Sequence, residues 1–180
     1  MGKLNFEVGN IIELSKGMDA IVNSQNKYMI AGSGVCGAIY KAASPTKLLE
    51  YCRSNFDSNM NVNEVRMTPG FNLGVDIIHI YVPKAYESSD PIQELIESYK
   101  KIIEFSLLNN YKKIVTVSLG TGVHGYSNEV VAPHIVNYLK NELANVDLDI
   151  TMVLNTKNKY DLYLKFPLIK RGGKTWQISL

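Results

Sequence analysis

Two glycine-rich hexads are the segments best equipped for chemistry: Gly32-Ser33-Gly34-Val35-Cys36-Gly37 and Gly120-Thr121-Gly122-Val123-His124-Gly125. Both fit the spacing G-x-G-x-x-G. Glycine lacks the Cβ that would keep a phosphate oxygen away from backbone N–H groups, so such loops can cradle an anion. A helix starting near Val35 would add the positive end of its dipole. One loop serves one or two phosphates, and two opposed loops suit a diphosphate. The alternative is that both are tight turns needing positive φ.

A dinucleotide fingerprint is poorly matched. It wants a strand running straight into the loop and an acid about 20 residues later. Asn26, Lys27 and Tyr28 separate the first loop from its strand, and Asp57 falls in a polar stretch. The second loop begins at residue 120 of 180, too late for a full dinucleotide fold. Neither loop has the Lys-Ser/Thr pair of a phosphate-binding P-loop.

Polar residues flank the loops. Asn23-Ser24-Gln25-Asn26 directly follows an apolar run. A carboxamide donates to one hydroxyl and accepts from another, which suits a ribose. An Asx turn is the competing explanation, and the two can coexist with Asn23 structural and Asn26 facing a ligand. His124, inside a glycine loop, has the chemistry of a general acid or base. His79 lies among Ile and Val and reads as a core residue, and His134 sits on a helical face. Cys36 stands beside a helix start, where a thiol can be activated, but no histidine can be paired with it. Tyr126, Tyr160 and Tyr163 either flank a base or sugar or are ordinary half-buried aromatics.

The elements that must position these groups alternate between periods of 2 and 3.6. Strands are expected at residues 4–8, 18–22, 64–68, 76–82, 112–119 and 150–154. Helices are expected at 37–43, from Pro45 to about 52, and at 91–108, 129–143 and 159–166. Asp90 caps the third of these, with Pro91 in its first turn. The alternation predicts an α/β fold, a three-layer α/β/α sandwich around a mixed, largely parallel sheet. A single domain is expected over 1–180, with a core at 4–166 and a C-terminal extension at 167–180.

Composition bounds the function classes. The chain has 180 residues, 46% of them hydrophobic and 20% charged, so one core suffices without a disulfide or metal. Nineteen Lys and Arg against 17 Asp and Glu leave a net charge of +2, which argues against a strongly basic nucleic-acid binder. Two cysteines and three scattered histidines make no zinc pattern. No signal-like apolar segment or membrane-length run occurs, and Phe6 breaks the myristoylation pattern. A soluble, cytoplasmic protein is the expectation.

The segments GMDAIVNSQN, AGSGVCGAIYKAA, MTPGFNL, DIIHIYVP and VSLGTGVHGY, in this order, resemble a macro domain, across roughly residues 4–166. That resemblance implies an ADP-ribose site across the strand ends, with free or protein-linked ADP-ribose as ligand. Some members hydrolyse O-acetyl-ADP-ribose or remove ADP-ribose from acidic side chains. Gly32, Ser33, Gly34, Val35, Cys36 and Gly37, with Leu119, Gly120, Thr121, Gly122, Val123, Gly125 and Tyr126, would then wrap the diphosphate and distal ribose. Asn26 matches the second Asn of the family's Asn-Ala-Ala-Asn stretch and would bond the distal ribose. Ile11 and Val22 would line the adenine side, and Asn155 or Tyr160 would cover the base.

Three departures from the family pattern bear on chemistry. Asn10 stands where the family's Asp accepts from the adenine amino group. Cys36 replaces an Asp that helps position or activate water, and Tyr40 replaces a His four residues later. His124 stands where an aromatic is common. The expected function is ADP-ribose binding with hydrolysis at the distal ribose, Asn26 orienting the sugar and His124 or substrate phosphate activating water. The alternative is a non-catalytic reader, favoured by Cys36 and Tyr40. A nicotinamide oxidoreductase rests only on the glycine spacing, and a single-stranded RNA binder on the likeness of poly-A to ADP. No cofactor or metal is implied. The expected partners are ADP-ribose, ADP-ribosylated protein or O-acetyl-ADP-ribose, bound by a monomer, and neither a membrane nor double-stranded nucleic acid.

Overall fold

The computed structural model describes residues 1–166, in which six strands form one sheet. They are β1 (Leu4–Val8), β2 (Ala20–Ser24), β3 (Val65–Thr68), β4 (Asp76–Ile80), β5 (Lys113–Val117) and β6 (Asp149–Leu154), in the spatial order β1-β6-β5-β2-β4-β3. Every neighbouring pair is parallel except β3, which runs antiparallel on β4. Six helices complete the fold: α1 (Ile11–Leu14), α2 (Gly34–Ala43), α3 (Pro45–Asn55), α4 (Pro91–Leu108), α5 (Asn128–Leu143) and α6 (Lys157–Leu164). The three-layer α/β arrangement and the mixed, largely parallel sheet are as expected.

Alternation along each strand divides the core into two clusters, because successive side chains point to opposite faces. Ile21, Ile77, Val115 and Val153 pack against Ile39 of α2 and Leu48 of α3. Ala20, Val22, Ile78, Ile114 and Met152 pack against Tyr99 and Ile102 of α4 and Ile135 and Leu139 of α5. Both faces of the sheet are therefore covered, which is why its strands read as nearly continuous apolar runs.

The direction in which successive strands are added reverses at the centre. From β2 the chain moves outward to β3 and β4, whereas from β5 it moves the other way to β6. The helices that follow, α2 and α5, belong to opposite core clusters. Such a switch point, at the carboxyl ends of adjacent parallel strands, is where open α/β sheets hold ligands. Both glycine loops leave from it.

Several boundaries differ from expectation. β2 starts at Ala20, not Met18, because the Asp19 carboxylate turns aside to accept from the amides of Lys112 and Lys113 at 2.6 and 2.8 Å. α2 begins at Gly34, three residues earlier than expected, so part of the first glycine loop is the helix's opening turn. The four-residue α1 was not anticipated. The Asp90 cap is present, accepting from the Gln93 amide. The extension at 167–180 lies outside the described residues. Among the described residues no helix is long and apolar enough to cross a membrane, and no cluster of His, Cys, Asp and Glu could hold a metal ion.

Candidate functional site

β2 delivers Asn23-Ser24-Gln25-Asn26 to the switch point. Asn26 closes the turn that follows: its Oδ1 accepts from the Tyr28 amide at 3.1 Å and the Ile30 amide at 3.4 Å. Its Nδ2 donates to the Ile30 carbonyl at 2.7 Å. The Asx-turn reading therefore holds for Asn26 itself, whose side chain nonetheless remains part-exposed beside Gly32. A Cβ on Gly32 would lie 3.5 Å from the Cys36 sulfur and 3.7 Å from Asn26 Nδ2, so the three residues meet at one point. Gly37 is needed for closeness, since a Cβ there would sit 2.4 Å from the Gly32 carbonyl oxygen.

Beneath this loop lies a buried polar network. Gln25 Oε1 accepts from the Asn26 amide at 2.8 Å and from the Cys36 thiol at 3.2 Å. Gln25 Nε2 donates to the Tyr40 hydroxyl at 2.8 Å, which in turn donates to the Met29 carbonyl at 2.7 Å. Cys36 thus turns inward, and burial pushes its thiol pKa up, holding it as a neutral thiol. Tyr40 is likewise structural, with burial raising its hydroxyl pKa. Asn23 is buried as well and bonds to His79. It is structural, as is His79.

The second loop follows β5. Tyr99 of α4 accepts the Leu119 amide at 2.9 Å, and Tyr163 of α6 bonds the Ser118 hydroxyl. Gly120 has φ +76, and a Cβ there would meet the Tyr126 ring at 2.5 Å. Tyr126 itself is buried, donating its hydroxyl to the Pro91 carbonyl and its amide to Gly120. The loop then reaches across the end of β2 to the chain following β4. There the His124 carbonyl accepts from the Ala85 amide at 2.9 Å, and His124 Nδ1 lies 3.4 Å from the Pro83 carbonyl oxygen. With Nδ1 protonated toward that carbonyl, Nε2 is left as an acceptor. His124 therefore sits on the same side of β5 as Asn26.

The loops share an electrostatic character. Neither residues 28–40 nor residues 114–128 include a charged side chain. Among the described residues, the amides of residues 31, 33–36 and 120–124 meet no acceptor, while the Gly32 amide lies against the Cys36 sulfur. The first run ends in the opening turn of α2, whose N-cap Ser33 makes no side-chain cap bond. Both runs lie at the switch point, and backbone donors left unpartnered there are the raw material of an anion nest.

The remaining residues divide. Asn10 and Asn155 follow β1 and β6, whose last residues Val8 and Leu154 are in register. Asn10 caps α1, accepting from the Ile12 amide at 2.9 Å, and Asn155 accepts from Lys159 Nζ at 3.0 Å. Ile11 is nearly buried against the α2 and α3 side, and Tyr160 is half-buried. Val22, Leu119 and Tyr126 are the deeply placed members of the expected ligand-lining set. Val22 and Leu119 are fully buried and the Leu119 amide is taken, while both polar groups of Tyr126 are already bonded. They support the loops from below. Tyr163 proves the ordinary buried aromatic of the two readings given for it, while Tyr99 and the supporting role of Gln25 were missed, since neither residue's spacing carries a signal of what it bonds. A separate shallow concavity beside residues 28–30, lined also by Phe56 and Arg66, involves neither glycine loop.

The fold and site define an α/β domain with backbone donors left open at a switch point of its sheet. A family model for the macro domain matches residues 22–135, and the chain belongs to that family. It is 32% identical over 130 residues to a macro domain-containing protein of Chlorobaculum tepidum, covering 71% of this chain and 74% of the relative. It is 30% identical over 130 residues to the human ADP-ribose glycohydrolase MACROD2, covering 71% of this chain but 30% of that protein. Against the rubella virus non-structural polyprotein p200, at 32% identity over 70% of this chain, the match spans 6% of the polyprotein. Among solved structures, the Oceanobacillus iheyensis macrodomain with ADP superposes with a TM-score of 0.83 at 28% identity, covering 91% of this chain and 89% of that one. The Trypanosoma brucei macrodomain in complex with ADP-ribose gives 0.76 at 25% identity, covering 90% and 68%.

Proposed function

We propose that this chain binds ADP-ribose and hydrolyses a bond at its distal ribose, either an O-acetyl ester or the link to an ADP-ribosylated protein. The observation that carries the reading is the pair of largely unpartnered amide runs, residues 31 and 33–36 and residues 120–124, at the ends of adjacent strands. A diphosphate is the anion that two such nests can share without a lysine or arginine. The order of the sheet then arranges the rest of the ligand. Asn10 and Asn155, at the ends of β1 and β6, take the adenine side; the loops after β5 and β2 take the diphosphate; Asn26 takes the distal ribose. The relatives named for ADP-ribose support that compound as the ligand.

For hydrolysis, the residues supply position and a base. Asn26 orients the ribose, the loops hold the diphosphate, and His124 Nε2 or a substrate phosphate oxygen takes the proton of the attacking water. Cys36 takes no part in that transfer, being neutral and turned inward. The same inward turn favours a second reading, a reader domain that binds ADP-ribose without chemistry. Two free buried thiols, Cys36 and Cys52, suit a cytoplasmic setting. The deciding experiment presents O-acetyl-ADP-ribose and a panel of mono-ADP-ribosylated proteins to the wild type and to Asn26→Ala. Turnover by the wild type, lost in Asn26→Ala, supports the hydrolase and identifies the leaving group. Binding without turnover across the panel makes it a reader.

A further inference from the structure

We infer that Gln25 is the positioning residue of the distal-ribose pocket, holding the Asn26 turn and the start of α2 in one geometry through Cys36 and Tyr40. The inference rests on the assignment of Asn26 to the distal ribose. Its basis is the closed set of bonds around one carboxamide. Gln25 Oε1 takes the Asn26 amide and the Cys36 thiol at 2.8 and 3.2 Å. Gln25 Nε2 reaches Tyr40 at 2.8 Å, and Tyr40 reaches the Met29 carbonyl at 2.7 Å. Both ends of the 26–29 turn and the first turn of α2 are therefore tied to the same side chain. Gln25 and Tyr40 are buried, with exposures of 0% and 1%, so water cannot substitute for these partners.

The three residues form a matched set. In the family's Asn-Ala-Ala-Asn stretch the residue corresponding to Gln25 is Ala, with no polar group to offer. Here Gln25 occurs together with Cys36 and Tyr40, the two departures noted at the same pocket. A carboxylate at position 36 would lose its thiol donor to Gln25 Oε1 and bring two acceptors together. A histidine at position 40 would shorten the reach to Met29. Gln25 makes the neutral thiol and the long phenol mutually consistent, and its amide nitrogen and oxygen are assigned by them: the oxygen faces two donors. Met29 has φ +53, a left-handed conformation that a non-glycine residue keeps only when its surroundings fix it. The bond from Tyr40 to its carbonyl supplies that constraint.

The test uses ADP-ribose and ADP, which differ in the distal ribose, titrated by calorimetry against the wild type, Gln25→Met, Gln25→Glu and Tyr40→Phe. Gln25→Met keeps the volume and removes all three bonds; Gln25→Glu keeps the acceptor for the Asn26 amide. Gln25→Met is expected to weaken ADP-ribose about tenfold while ADP changes about twofold or less, the loss expected when one or two buried hydrogen bonds no longer hold a contact in place. Gln25→Glu recovers part of the loss, and combining Tyr40→Phe with Gln25→Met adds little, because the two act through one network. Equal weakening of both ligands, or full additivity, overturns the inference. Hydrogen exchange without ligand gives an independent measure: Gln25→Met should speed exchange at the amides of residues 26–37 and leave residues 118–126 unchanged. Unchanged exchange at 26–37 also overturns it. A wild type that binds neither ligand, with exchange altered as expected, overturns the ADP-ribose assignment and leaves Gln25 as the anchor of the loop.

Discussion

Asn23 Nδ2 lies 3.1 Å from His79 Nδ1, and His79 Nε2 lies 2.9 Å from the Thr68 hydroxyl oxygen. The amide can only donate through Nδ2, so Nδ1 accepts and Nε2 carries the ring proton toward Thr68. This tautomer links β2, β4 and β3 across the sheet: Asn23 is in register with His79, and Thr68 lies two residues along β3 from the Arg66 that is in register with His79. The imidazole is neutral in the folded chain.

That neutrality makes stability depend on pH. Burial lowers the His79 pKa from an ordinary 6.5 to about 3. The unfolded chain therefore binds a proton that the folded chain refuses between these values, and stability falls as pH drops below about 6.5. Above that window the contribution is fully present. Urea unfolding of the wild type and of His79→Gln, which cannot titrate, should diverge by about 1.4 kcal/mol for each pH unit below 6.5. A constant difference between pH 7.5 and pH 5 would contradict the buried neutral ring.

His124→Ala separates chemistry from binding. The side chain touches the strand-end segment at Pro83 and leaves Nε2 available. If it acts as the base, turnover should fall by about 10²-fold or more, the usual contribution of general base catalysis, with affinity for ADP-ribose changed little. Unchanged turnover at intact affinity would transfer the proton-accepting role to the substrate phosphate.

The second loop contains an internal control. Gly120→Ala places a Cβ 2.5 Å from the Tyr126 ring and demands φ +76 of a residue with a side chain, whereas Gly122 has open space around it. Gly120→Ala should lose at least about 1–2 kcal/mol of stability from the left-handed backbone alone. Gly122→Ala should fold like the wild type and report on the ligand: a methyl over the amide run should weaken diphosphate binding. Thermal melts and ADP titration of the two variants distinguish these effects.

Asn10→Asp tests the adenine side. The residue already caps α1, and Asp is about as good a cap as Asn while adding a favourable charge at a helix start. If Asn10 faces the adenine amino group, the charged acceptor should tighten ADP-ribose by about fivefold, with stability unchanged or slightly higher. No change in affinity would remove Asn10 from the site.

Much of this architecture was legible in the chain. The unbroken apolar run Ala20-Ile21-Val22 and the 3.6 period of residues 91–108 are patterns that burial itself creates, so the layers could be read from them. The loops were legible because glycine is scarce in other roles there. What escaped depends on partners distant in sequence. Asp19 leaves the strand pattern because its acceptors meet amides at 112 and 113, more than 90 residues away. The role of Gln25 could not be read because Cys36 and Tyr40 come close to it only when α2 folds back over β2. Likewise, nothing in Val65–Thr68 reveals that it pairs antiparallel with β4.

The absence of charged side chains within the two amide-bearing segments has a consequence for the setting in which the domain works. A site built from lysine and arginine loses grip as dissolved salt rises, because mobile ions gather around exposed charges within a Debye length of about 10 Å at 0.1 M. Peptide dipoles fixed in two loops carry no such ion cloud to be displaced. An anion seated between residues 31–36 and 120–124 should be held almost equally in dilute buffer and in concentrated salt, so the domain's occupancy follows how much ligand is present and is largely insensitive to the ionic medium around it.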